Sequence, residues 1–145
     1  MRKTMLVSLS LFLICGIHMP ASAGDFDGSK ELLCACMRFI ECGSDGDCAE
    51  VSAEEIGIPE FLKINFKQKT ISAPQMGKNQ NPSRIENLER IDGKLILQGA
   101  EDGYKEVRDG TGWSMAISEE TGKMVLTESG DQAGFVIFGA CIPHR

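Results

Sequence analysis

Five cysteines lie beyond residue 23: Cys34, Cys36, Cys42, Cys48 and Cys141. Their spacing limits the chemistry open to them. Cys42 and Cys48 flank Gly43-Ser44-Asp45-Gly46-Asp47, a turn-rich acidic loop that can bring two sulfurs together. Cys34 and Cys36 are two residues apart, and we expect them to point to opposite faces of a strand and not to bond each other. One of them is then free to pair with Cys141, with Cys34 favoured, and five cysteines leave one over. That cysteine, Cys36, is an unpaired thiol, a reactive group or an intermolecular bridge, against the blander role of a small buried side chain. A thiolate metal site is the competing use of the cluster, but structural zinc sites repeat a C-x2-C unit that is missing here. Asp45 and Asp47 do not complete a twelve-residue calcium loop. No metal and no cofactor is expected.

Other reactive groups are scarce. His144 is the only histidine beyond the first 23 residues and sits in the C-terminal tail, a poor place for a nucleophile's base. No phosphate-binding glycine motif is present. Carboxylates are plentiful, and Glu86, Glu89, Glu101, Asp102, Glu106 and Asp109 are candidates for the acid–base pair a glycoside hydrolase needs. Sequence spacing does not show whether any two of them converge, so no catalytic residue is assigned. Tyr104 and Trp113 are the only residues of their kinds, set among Gly103, Gly110 and Gly112. They are candidates for a ligand or partner contact, with core packing as the competing role of Trp113.

The elements that would position these residues begin after an export signal. Arg2 and Lys3 precede an uncharged, largely aliphatic stretch from Met5 to Ile17, and Ala21-Ser22-Ala23 supplies a small-x-small cleavage site. Residues 1–23 are therefore expected to be a cleavable signal peptide, because the apolar stretch is short for a membrane span. Residues 24–145 form one disulfide-stapled β domain, exported to the periplasm or the medium, where disulfides are the default. The chain carries 21 acidic against 15 basic residues, a net charge of −6, and no basic cluster. Nucleic acid is a poor partner for such a surface, and so is an anionic membrane. No membrane insertion is expected after cleavage.

Short apolar runs separated by turn residues define the domain. Gly24–Lys30 reads as an extended lead-in, Leu32–Ile40 as a buried strand and Cys48–Val51 as a short second strand. Ser52 and Glu55 form a capping box, and Gly57 and Pro59 end it at once, which predicts one helical turn near residues 53–56. Phe61–Phe66 and Thr70–Ser72 follow as strands. Residues 84–91 are ambiguous. Ser83 and Glu86 repeat the capping box, while Asp92-Gly93 marks a hairpin into Lys94–Gln98; strand is the reading adopted. Trp113–Ser118, Met124–Thr127 and a continuously buried Phe135–Phe138 complete about eight strands. If Cys34 bonds Cys141, the first and last strands meet. That predicts a mainly β fold, a small antiparallel up-and-down barrel, with a β-sandwich as the alternative.

Several stretches carry a resemblance. They are Phe26-Asp27-Gly28-Ser29-Lys30, Leu33-Cys34-Ala35, Cys42 and Cys48, and Ile58-Pro59-Glu60-Phe61-Leu62-Lys63-Ile64. Further on come Leu95-Ile96-Leu97-Gln98-Gly99, Gly112-Trp113-Ser114-Met115-Ala116-Ile117, Thr121-Gly122-Lys123-Met124 and Phe135-Val136-Ile137-Phe138-Gly139-Ala140-Cys141. Together they resemble a family of uncharacterised secreted bacterial proteins with no assigned function. The resemblance implies that Cys34, Cys42, Cys48 and Cys141 are the framework and Cys36 is extra. Three functions compete. A noncatalytic barrel that holds a small ligand leads. A periplasmic protein-binding module, such as an enzyme inhibitor or envelope accessory factor, comes second, with the 101–111 loop and Tyr104 as its contact. A carboxylate-based hydrolase comes third.

Overall fold

The computed structural model describes residues 24–74, 81–103 and 109–144. The expected signal peptide (1–23), Tyr104 and Glu106 lie outside the described residues. Among the described residues ten strands and one helical turn run in the order β1 (Leu32–Gly43), β2 (Cys48–Val51), α1 (Ala53–Ile56), β3 (Phe61–Asn65), β4 (Thr70–Ser72), β5 (Ser83–Arg84), β6 (Asn87–Ile91), β7 (Lys94–Glu101), β8 (Thr111–Ser118), β9 (Lys123–Ser129) and β10 (Ala133–Pro143). All are antiparallel in one sheet, ordered β5-β4-β3-β1-β10-β9-β8-β7-β6, with β2 paired to the far half of β1.

The two ends of that order are one stretch of chain. β5 pairs with β4, and β6 pairs with β7. Between them the Ile85 N–H donates to Lys69 O and the Glu86 N–H to Gln98 O, both at 2.9 Å. The sheet thus curls into a barrel-like fold. One closing contact is β1 against β10, as expected from the first and last strands; the 83–91 segment spans the opposite seam. Closing a sheet in this way removes most free strand edge.

The turns follow from local chemistry. Asp92 (φ 47°) and Gly93 (φ 71°) are both left-handed, the two-residue loop whose twist suits a hairpin. The β8–β9 loop ends on Gly122 (φ 68°), where a Cβ would come within 2.7 Å of Cys141 O and collide with the Phe26 ring. At α1 the Glu55 N–H donates to Ser52 Oγ (3.3 Å) and the Ser52 N–H to Glu55 Oε2 (2.7 Å), and Gly57 closes the turn at φ 67°. The second capping box does not form: residues 83–84 and 87–91 are strand.

Three expectations are corrected. Gly24–Lys30 is a run of turns rather than extended chain. Phe26 packs on the core from there, and the Arg90 guanidinium donates to Asp27 O and pairs with Glu119 at 2.6 Å. Phe135–Phe138 is not continuously buried: Ile137 is enclosed while Phe138 is exposed, the alternation of a strand with one wet face. Cys34 and Cys36 lie on the same inner face, both buried, because residues two apart share a face. What separates them is strand rise, about 6.7 Å over two residues.

Among the described residues the bridges are Cys34–Cys141 and Cys42–Cys48, and Cys36 is free. Each bonded pair is also a register pair, in β1–β10 and β1–β2 respectively. Two such bonds fit folding in an oxidising environment. Among the described residues no helix is long and apolar enough to cross a membrane. The core runs through the barrel interior: Leu32, Ile64, Ile85, Leu95, Leu97, Met115, Ile117 and Ile137 are almost wholly enclosed.

Candidate functional site

Alternation along β7, β8 and β9 decides what the barrel mouth contains. On β8 the inward set is Trp113, Met115 and Ile117. On β9 it is Met124 and Leu126, with the half-buried Glu128 continuing the same face. On β7 it is Leu95 and Leu97, and the same period reaches Gly99 and Glu101. The lower layers of this set fill the interior. The upper layer leaves space beside Trp113, Met115 and Leu126.

A cavity of about 190 Å³ results. Leu62 and Ile71 line one side and Trp113, Met115 and Leu126 the other. The α1 turn and the chain after it, Ile56-Gly57-Ile58-Pro59, form a further wall. Ser83, Glu101 and Glu128 supply its polar lining. Its walls are mostly apolar, with a few polar groups at the rim.

Trp113 is held on two sides. Its register partner is Gly99, and a Cβ there would lie 2.4 Å from the indole Cζ2. The indole N–H donates to Ser83 Oγ at 2.9 Å. The hydroxyl that looked like a helix cap in the sequence thus fixes the tryptophan. Trp113 is only 8% exposed, so it packs in the core, and the same ring lines the cavity.

Of the candidate carboxylates among the described residues, Glu101 alone reaches this cavity. Glu86 faces solvent and pairs with Arg84 at 3.5 Å. Glu89, Asp102 and Asp109 are exposed. The group that joins Glu101 is Glu128, which sequence reasoning missed; its Oε1 accepts from Thr111 Oγ1 at 2.7 Å. Its signal was legible in the period Met124, Leu126, Glu128. Among the described residues no three His, Cys, Asp or Glu side chains come together to hold a metal ion.

The chain matches no family model and no curated protein.

Elsewhere the surface is less selective. A depression of about 540 Å³ near the opposite end is bordered by Ser29, Lys30, Glu31, Asn65, Phe66, Lys67 and Gln68, and Lys30, Asn65 and Gln68 already have protein hydrogen-bond partners. Cys36 is 7% exposed, and burial pushes its thiol up to about 11. That suppresses the thiolate a nucleophile or metal ligand requires. The His144 N–H donates to Glu31 O (2.7 Å), so the tail is tied to the chain just ahead of β1. Outside the barrel, Met37 and Ile142 are 68% and 61% exposed, with Phe61 and Phe138 less so. All four lie on β1, β3 and β10.

Proposed function

We propose that this protein is a noncatalytic binding barrel, exported by a bacterium to the periplasm or medium, that holds a small ligand with an apolar body at its mouth. The observation that carries this reading is the 190 Å³ cavity between α1, β3–β4 and β8–β9. Its volume is far above the space of a single water, and most of its lining is apolar. The export signal and the acidic surface agree with a role outside the cytoplasm, without nucleic acid or membrane insertion. The resemblance to secreted bacterial proteins is compatible with it. Native mass spectrometry of the protein recovered from its own cells tests the reading. A bound small molecule is expected in the wild type and none in Leu126→Phe, which fills the cavity. Absence of ligand from the wild type, or its retention by the filled variant, contradicts the reading.

A second reading, a protein-binding module, draws on the outward side chains of Met37, Phe61, Phe138 and Ile142. Apolar groups gathered on one exterior face are a recognised mark of partner surfaces. Pull-down from envelope extract separates the two: this reading requires a partner that is lost in Met37→Ser/Ile142→Ser, a change the cavity reading tolerates.

A further inference from the structure

We infer that the mouth cavity selects organic cations, small amines with an apolar tail, over neutral or anionic molecules of the same shape. The inference rests on the cavity being the binding site, and it adds the sign of the ligand's charge.

The cavity makes the site; the carboxylates choose its occupant. Glu101 and Glu128 lie on β7 and β9, with β8 between them. Glu101 is the register partner of Thr111, and Glu128 that of Trp113. Glu128 therefore stands level with Trp113, one layer above Met115 and Leu126, and the exposed Glu101 stands one layer further out at the rim. Glu128 accepts one hydrogen bond, from Thr111, which orients the group and leaves its second oxygen open. Among the described residues neither glutamate is in an ion pair. Two negative charges beside an apolar cavity disfavour an anionic occupant and attract a cationic one.

The walls favour an organic cation over a bare metal ion. Apart from the two carboxylates the polar lining is Ser83, whose Oγ already accepts from Trp113. A hard cation such as calcium wants six to eight oxygens. An alkylammonium needs only two or three acceptors at its head and apolar contact along its tail, and Leu62, Ile71, Met115 and Leu126 offer that contact. The Trp113 indole adds a π system, which attracts cations. The chain's net charge of −6 draws the same ligands from a distance.

Trp113 is the only tryptophan in the chain, so its fluorescence comes from a residue that lines this cavity. The test titrates the purified protein with n-hexylammonium, n-hexanol and n-hexanoate at pH 7 and low salt, with calcium chloride as a fourth arm. The expected result is hexylammonium binding about tenfold or more tighter than hexanol, with hexanoate weakest and no saturable response to calcium. In Glu101→Gln/Glu128→Gln the ammonium should fall to the level of hexanol while hexanol is unchanged, which shows the variant folded with its cavity intact. Equal affinity for hexanol and hexylammonium in the wild type overturns the charge selection and leaves the cavity reading standing. Tighter calcium than ammonium binding also overturns it. Failure of all four to bind removes the cavity reading itself, and this inference with it.

Discussion

Trp113 rests on Gly99, its partner across the β7–β8 ladder, so closely that a single methyl group on Gly99 would stand 2.4 Å from the indole Cζ2 and 2.3 Å from Arg84 O. The same glycine thus admits the ring and the close passage of the 83–91 segment that spans the barrel seam. Gly99→Ala is expected to destabilise the protein by about 1–3 kcal/mol through overpacking and to shift the Trp113 emission. Chemical denaturation followed by fluorescence checks both. An unchanged midpoint and spectrum would mean that the ring has room to move.

The two disulfides differ in what they constrain. Cys34–Cys141 closes a loop with a sequence separation of 107, and Cys42–Cys48 one of 6. Chain entropy gives about 4.7 kcal/mol for the long loop and about 2.4 kcal/mol for the short one. Paired Cys→Ala variants, compared by urea denaturation, should lose more stability for Cys34/Cys141 than for Cys42/Cys48. The reverse order would show that the native barrel, not the unfolded chain, sets the contribution.

Cys36 is buried in the interior, and its N–H donates to Glu60 O at 2.7 Å just before the β1 bulge. With the thiol pushed up to about 11 by burial, a thiol reagent at pH 8 should label the native protein far more slowly than the unfolded one. Labelling followed by intact-mass measurement checks this, and fast native labelling would contradict the burial. The linkage has a sign as well. The folded state holds its proton above the ordinary value of 9.0 while the unfolded chain releases it, so this group's contribution is lost as pH rises from about 9 towards 11.

Acid acts through other groups. The hydrogen bond and charge of Arg38 hold Glu50 below its ordinary 4.5, and Lys63 does the same for Glu31. In the window below 4.5 the unfolded chain binds more protons than the folded one, so stability rises with pH there. The melting temperature should be flat from pH 7 to about 5 and should fall as pH drops through the lowered values. Arg38→Gln should make that fall shallower. An equal fall in the variant would take Glu50 out of the acid response.

Most of the fold was legible because its signals are local. The capping box at Ser52, the Asp92-Gly93 turn and the apolar alternation of β8 each act within a few residues. The Cys34–Cys141 pair was legible in part: few cysteines remain, but spacing leaves both Cys34 and Cys36 open to Cys141, and no local signal decides for Cys34. The site was legible only in part. Trp113 and Glu101 stood out by rarity and by position in a charged stretch, but the cavity depends on contacts far apart in sequence. Ser83 reads as a helix cap until Trp113, 30 residues on, takes its hydroxyl. Glu128 reads as a surface charge until the inward period of β9 is followed to its end. The seam at 83–91 depends on pairing with two strands at once, which no local pattern encodes.

Residue-resolved NMR of the isotopically labelled protein, titrated with n-hexanol, tests binding in the mouth cavity most directly. Ligand binding in the mouth cavity predicts saturable shifts at Ile58, Leu62, Ile71, Met115, Leu126 and the Trp113 indole N–H, on both sides of the cavity. Shifts confined to the outer face around Met37, Phe138 and Ile142, with the cavity residues unmoved, would contradict it.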